Sequence, residues 1–326
     1  MISNVIFIGS NQSILAKNRY KKLQILANKN SFFSFWFDKE IGIKRFIAFF
    51  ELLKLLFKKK KYFFICHGSY WPELILLIIV KQKYSLIVQG SEAYIASGLR
   101  GLIHKLIIKN SISVGCRSKE QEGLIKDIFN IANTFILRMD EFFMPPSMIK
   151  LDEKKLISSV RASSDHYRIE IAAKISNIIK KTRNLDSLYI KYNGADKDPS
   201  NKLFDQKINN FLDSNELSNV LSKSFYVISV PKTDGLSNII IESLICGAIV
   251  ICSESSFKEE FYEYKNNFIV LPEEVIKNQT LLEITLTKKI KTFDFHDSSS
   301  IALSVHKKFN YNENSVLKLL SPSIYN

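Results

Sequence analysis

Short apolar runs alternate with longer stretches of helical period along almost all of this 326-residue chain, and that alternation leaves few folds open. A four- to six-residue run rich in Val, Ile and Phe is too short for a buried helix, and it reads as a strand covered on both faces. Strands separated by helices imply βαβ units and parallel sheets. In the first half, strands are predicted at Val5–Ile8, Phe32–Phe37, Tyr62–Cys66, Tyr84–Gln89, Ser111–Gly115 and Asn133–Leu137. Helices are predicted over Gln12–Asn28, Ile43–Phe57, Trp71–Val80, Leu102–Lys109 and Lys119–Phe129. Two prolines, Pro145 and Pro146, then forbid continuing structure. A second series follows, with strands at Leu156–Val160, Ser187–Tyr192, Phe225–Val230, Ile249–Ser253 and Phe268–Leu271. Its helices are predicted at Tyr167–Lys180, Asn215–Ser222 and Ser237–Cys246, and a basic helical tail begins near Ser300. The expectation is two α/β domains, 1–145 and 146–326, with the tail belonging to the second. Open sheets of this kind bind ligands at the carboxyl ends of their strands, so a cleft between the two domains is expected to hold the site.

Composition narrows the class. The apolar fraction of 46% fits filled cores and not a disordered chain. The longest apolar run, near Leu74–Val80, falls far below the roughly 18 residues a membrane span requires. Val5–Ile8 is too short for the core of a signal peptide. Cys66, Cys116, Cys246 and Cys252 are scattered in apolar contexts without a Cys-x-x-Cys pair, which suggests reduced thiols and no zinc. A cytoplasmic protein is therefore expected.

The net charge of +14 is uneven. Residues 1–150 hold 23 Lys/Arg against 10 Asp/Glu, a net +13, whereas the rest is close to neutral. The basic half points to an anionic partner: membrane lipid, a phosphorylated acceptor or nucleic acid. Within it, Lys44–Lys61 joins a Phe/Leu-rich helical face to Lys54, Lys58, Lys59, Lys60 and Lys61. That segment reads either as a peripheral membrane contact at the inner face or as a packed helix ending in solvated lysines. On both readings Phe46 and Phe50 are expected in the core.

The chemistry concentrates in residues 234–242, Asp-Gly-Leu-Ser-Asn-Ile-Ile-Ile-Glu, between the strand Phe225–Val230 and the helix ending before Gly247. A glycine turn into a helix start aims backbone N–H groups and the positive end of the helix dipole at an anion. Gly235, Leu236, Ser237 and Asn238 would line that turn. Asp234 precedes it, and Glu242 lies further along the helix, where a carboxylate can accept from ribose hydroxyls. The plain alternative for both acids is a helix terminus favoured by the dipole.

The order of features here resembles the retaining glycosyltransferases of the GT-B fold, in particular family 4. The resemblance is carried by "LSNVLSKSFYVISVP" (217–231) and "TDGLSNIIIESLICGAIVICS" (233–253). Asp234 stands where the family's first Glu is usual, Glu242 where its second is usual, and Gly247 where a glycine precedes the next strand. "EEFYEYKNNFIVL" (259–271) is similar to a further family segment through Glu260 and Asn266. "LISSVRASSDHYR" (156–168) occupies the place of a strand and loop carrying a phosphate-binding Arg and Lys. Arg161 fits that Arg, but His166 stands at the usual Lys, with Arg168 beyond it. Asp234 is a methylene shorter than Glu, and the glycine pair after the first strand is reduced to Gly9 and Ser10.

The resemblance implies two Rossmann-like domains with a cleft between them and a C-terminal helical tail. It implies transfer of a sugar from a nucleotide-sugar donor to a glycan or lipid-linked acceptor, with retention and without a metal or other cofactor. Asp234, Arg161 and Glu92 would be catalytic. Glu242, Gly235, Leu236, Ser237, Asn238, Arg168 and His166 would bind donor, and His67, Gly9 and Ser10 would lie on the acceptor side. The departures leave a uridine, guanosine or cytidine donor open. A nucleotide-sugar epimerase of the same fold is the competing enzyme class. A basic nucleic-acid-binding protein is the non-enzymatic one, and no compact recognition motif supports it.

Overall fold

A computed structural model describes residues 5–10, 14–26, 32–37, 43–58, 62–68, 71–88, 98–131, 133–145, 147–161, 165–191, 203–208, 212–293 and 298–320. The chain forms two compact units, 1–140 with 311–326, and 141–310. The division falls a few residues ahead of the two prolines, because Phe142 is already buried in the second unit among Leu236, Phe261 and Phe309.

In the first unit, strands β1 (Val5–Ser10), β2 (Phe32–Phe37), β3 (Phe63–His67), β4 (Lys83–Ile87), β5 (Ser113–Cys116) and β6 (Thr134–Ile136) form one parallel sheet in the order β2-β1-β3-β4-β5-β6. Helices α1 (Ile14–Leu26), α2 (Ile43–Leu56), α3 (Trp71–Ile79), α4 (Gly98–Lys109) and α5 (Lys119–Phe129) connect them. Alternate strand residues feed two cores, as a sheet covered on both faces requires. Ile6, Ile8, Phe64, Cys66, Tyr84 and Leu86 meet α2 to α5 on one face. Val5, Phe7, Phe63, Ile65 and Ile87 lie on the other, with Ala16 and Leu23 of α1.

The second unit repeats the plan with β7 (Leu156–Arg161), α6 (Ile169–Lys180), β8 (Asp186–Lys191), β9 (Gln206–Ile208), α7 (Ser214–Ser222), β10 (Ser224–Ser229), α8 (Asn238–Ile245), β11 (Ile249–Ser253) and β12 (Phe268–Leu271). Its parallel sheet runs β12-β11-β10-β7-β8-β9. Counted from β7, that is the 3-2-1-4-5-6 order of a Rossmann domain. Helices α9 (Glu273–Lys277), α10 (Gln279–Thr292), α11 (Ser298–Phe309) and α12 (Glu313–Leu320) follow.

Two expectations change here. The tail does not stay with the second unit. Val316, Leu319 and Leu320 of α12 are buried beside Phe135, Leu137 and Met139 of the first. The backbone N–H of Asn312 donates to the Arg138 carbonyl at 2.9 Å, and Ser315 Oγ accepts from the Arg138 N–H at 3.0 Å. An amphipathic helix with three buried apolar residues is legible as a helix, but nothing in its period says which core receives it.

The second change concerns α2. Phe46 and Phe50, expected in the core, are 64% and 45% exposed, and Leu52 and Leu56 are buried instead. The helix is apolar nearly all round, so periodicity could not choose which stripe faces the sheet. No helix among the described residues is long and apolar enough to cross a membrane.

Candidate functional site

The sheet order of the second unit reverses between β7 and β10. A crevice opens at such a switch point, outside the carboxyl ends of the strands. Arg161 ends β7 and Ser229 ends β10, so the two meet there. Arg161 Nη2 donates to Asp234 Oδ2 at 2.7 Å, to Ser237 Oγ at 2.7 Å and to Ser229 Oγ. Its Nε donates to Ser229 Oγ at 3.2 Å. The guanidinium also stands 5.2 Å from the centroid of the Tyr167 ring, a cation–π contact. Residues 73 and 76 positions apart in sequence thus converge on one cation.

Ser237 precedes the helix without capping it. It occupies the N-cap position of α8, yet its hydroxyl makes no bond to the helix's own N–H groups. Such a cap is ordinarily worth about 1 kcal/mol. Here the hydroxyl accepts from Arg161 instead. The start of α8 therefore has no cap from the Ser237 side chain, and it carries the positive end of the helix dipole.

Along α8, every residue is buried except Asn238 and Glu242, which are half-buried. They stand four apart and therefore share a face, about 6 Å from one another along the axis. The helix thus opens to its surroundings along one polar stripe. Its far end is held rigidly: Gly247 takes φ +67° past the last turn, and the buried Lys154 Nζ donates to the Cys246 and Gly247 carbonyls at 2.7 and 2.9 Å.

The loops around Arg161 are tied together. The His166 carbonyl accepts from the Lys232 N–H at 2.9 Å, joining the loop after β7 to the turn before Asp234. The His166 ring meets Tyr167 edge-on at 4.8 Å. Ser253 Oγ, at the end of β11, donates to the Pro231 carbonyl at 3.1 Å. Burial, with the Asp234 charge as a smaller contribution, pushes the Cys252 thiol up.

Arg168, expected to bind donor, is held by an acid of the second unit. It adopts φ +52° at the N-cap of α6 and is paired with Glu273 at the start of α9, Nη1 to Oε2 at 2.9 Å and Nη2 to Oε1 at 2.5 Å. The hydrogen bond from Arg168 holds the Glu273 carboxyl below its usual range. Glu273, Tyr167, Ser229 and Lys232 were not singled out from the sequence. Each lies at a strand end or in an adjoining loop, a position visible only once strand order is known.

The first unit has its own switch point, between β1 and β3, and Gly9, Ser10 and His67 all fall there. His67 is fully buried, and its Nε2 lies 2.9 Å from Arg19 Nη1. Burial, then the nearby Arg19, drive its pKa well below the ordinary value of 6.5, so the ring is neutral and accepts from the guanidinium. Arg19 also binds Asp140 through Nε at 3.1 Å and Nη2 at 3.0 Å, and Arg117 donates to Asp140 at 2.9 Å. Burial alone would raise the Asp140 carboxyl, but the two guanidiniums hold it well below the usual range. Gly9 is small for packing: a Cβ there would stand 2.7 Å from Phe7 and 3.0 Å from Trp36. Ser10 is buried, and Glu92 lies outside the described residues. No group of three or more His, Cys, Asp or Glu among the described residues is arranged to hold a metal ion.

No family model and no curated protein matches the sequence. Solved structures do match in shape. A sucrose-phosphate synthase from Thermosynechococcus elongatus superposes with a TM-score of 0.73 at 11% identity, covering 99% of both chains. An alpha,alpha-trehalose 6-phosphate synthase from Burkholderia multivorans gives 0.65 at 10% identity, over 100% of this chain and 98% of that one. An E. coli trehalose-6-phosphate protein bound with UDP-2-fluoro glucose gives 0.63 at 9% identity, over 94% and 95%. Likeness at such identities establishes a shared fold: two Rossmann-like domains in the GT-B arrangement of elements.

Proposed function

We propose that this protein is a glycosyltransferase that moves a sugar from a nucleotide-sugar donor to a glycan or lipid-linked acceptor in surface polysaccharide synthesis, with retention and without a metal. The observation that carries the reading is the convergence of Arg161, Asp234 and Ser237 at the N-terminus of α8, on the switch point of a Rossmann sheet. The named functions of the structural neighbours support the same class, and one of them was solved with a UDP sugar.

The parts divide the work as follows. The first-turn amides of α8 and the Arg161 guanidinium receive the donor's phosphate, and they stabilise it best as charge accumulates on the leaving oxygen. Asp234, at the mouth of the turn, accepts from a sugar hydroxyl. Glu242, on the polar stripe of α8 with Asn238, accepts from the ribose. The first unit holds the acceptor, and its excess of lysine and arginine suits an anionic one, at the inner face of a membrane in a cytoplasmic protein.

The test is thermal stabilisation of the full chain by uridine, guanosine and cytidine nucleotides and their sugars. A nucleotide at 100 times its Kd raises stability by about 2.7 kcal/mol, which a melting curve resolves. One base is expected to stabilise the parent and to lose that effect in Glu242→Gln. If no nucleotide shifts the parent, the donor assignment fails. Turnover of a nucleotide sugar to its epimer without acceptor would move the protein to the epimerase class.

A further inference from the structure

Two helices of the first unit turn apolar stripes outward. On α2, Ile43, Phe46, Ile47 and Phe50 are exposed, and Phe57 follows at 77%. Their spacing puts them on one face, and the Phe46 and Phe50 rings are in contact, 4.8 Å between centroids. On α4, Leu99, Leu102 and Leu106 repeat the pattern, with Leu99 at 75%. The opposite faces of both helices, through Leu52, Leu56, Ile107 and Ile108, enter the same core. They therefore cover the same side of the first sheet, and their exposed stripes look away from it together. Helix α3 lies in the same layer, joined to α2 by the Arg45–Glu73 ion pair at 3.0 Å and packed against α4.

Scattered exposed apolar residues are ordinary, but stripes of them on helices of one layer mark a surface that is covered in use. The charges around these stripes say what covers it. Lys44, Lys54 and Lys58 are exposed on or beside α2, Lys105 and Lys109 on α4, and the chain continues as Lys59–Lys61. The one acid on the exposed arc of α2, Glu51, is paired with Lys54. A second copy meeting this face would set lysine against lysine. An anionic bilayer offers both an apolar interior for the Phe, Ile and Leu side chains and negative head groups for the lysines.

We infer that the outer faces of α2 and α4 form a docking surface for an anionic membrane, inserted through Phe46, Ile47, Phe50, Leu102 and Leu106 and fringed by lysine. This deepens the proposed function by naming the surface that would meet a lipid-linked acceptor. It rests on residues that the donor site does not use.

The experiment is sedimentation of the full chain with vesicles of phosphatidylcholine alone or mixed with phosphatidylglycerol. The parent is expected to sediment with mixed vesicles and to release partly as salt rises. The pairs Phe46→Gln/Phe50→Gln and Leu102→Gln/Leu106→Gln should each lower partitioning by at least about tenfold, because they remove the inserted area. All four sites are exposed, so the melting temperature and the nucleotide-induced shift should stay at parent values. Lys54→Gln/Lys58→Gln should weaken binding and flatten its salt dependence. The inference is overturned if the parent ignores mixed vesicles, or if both apolar pairs bind as the parent does. Concentration-dependent self-association that the apolar pairs abolish, without vesicle binding, would assign the face to a second copy and also overturn it. A nucleotide shift in the parent is read in the absence of lipid, so failure here and failure of the donor reading remain distinct.

Discussion

At the scale of single residues, Arg161 and Asp234 act as a unit, and their pairing sharpens what each contributes. Side by side their formal charges cancel, so on the proposed reading attraction for a phosphate comes mainly from the dipole of α8 until Asp234 turns to a sugar hydroxyl. Asp234→Asn should therefore separate two affinities. Binding of the nucleotide sugar should weaken by about 1.5–3 kcal/mol, the worth of a hydrogen bond to a charged group. Free nucleotide should bind at least as tightly as to the parent, because Arg161 is no longer compensated. Calorimetric titration with both ligands checks this, and equal weakening of the two would remove Asp234 from the sugar. His67 carries a second residue-scale prediction. Its folded pKa lies well below the ordinary 6.5, so the unfolded chain takes up the proton first. Its contribution to stability is complete above that value and is lost as pH falls from 6.5 toward the folded pKa. His67→Gln keeps an acceptor for Arg19 without a titrating group. The slope of stability against pH below 6.5 should flatten in that variant, and urea melts at several pH values would show it.

Among the elements, α8 concentrates the most design. It starts without a side-chain cap, ends on a left-handed glycine, and has its last carbonyls served by a lysine lifted out of water. Burial draws the Lys154 pKa down from 10.5 to about 8. Lys154→Met should lower stability by about 1–3 kcal/mol, since two buried carbonyls lose their donor. The sign of its pH dependence follows from the shift: between about 8 and 10.5 the unfolded chain binds more protons than the folded one, so the parent gains stability as pH rises. The deficit of Lys154→Met should widen over that window, measured by chemical denaturation. Most elements were legible, because β11, β12, β2 and α5 begin and end where apolar runs and helical period do. β9 was not, since Gln206–Ile208 is three residues held by its neighbour β8 and carries no pattern of its own.

The whole molecule is shaped by strand order and by a chain that returns to where it began. Leu319 is fully buried in the first unit although 182 residues separate it from Leu137 in the same core. Leu319→Ala should cost about 2–5 kcal/mol as a cavity in that unit. Limited proteolysis should then cut within 1–140 sooner, leaving 141–310 as resistant as in the parent. Such an outcome would show that α12 belongs energetically to the first unit, and protection unchanged in both would deny it. The sequence by itself determined the alternation of strand and helix, the two-part division near the prolines, and the helix start that follows Asp234. These are local, written in periods of two and 3.6 residues and in the backbone demands of glycine and proline. Only the tertiary structure decided which strands are neighbours, and hence that Arg161 and Ser229 share a switch point. It also decided that Arg168 turns to Glu273, that α12 crosses back, and that α2 shows Phe46 and Phe50 to the outside. Each of these depends on which of several chemically equivalent apolar faces or strand edges are brought together, a choice made by packing across long sequence distance and not by local pattern.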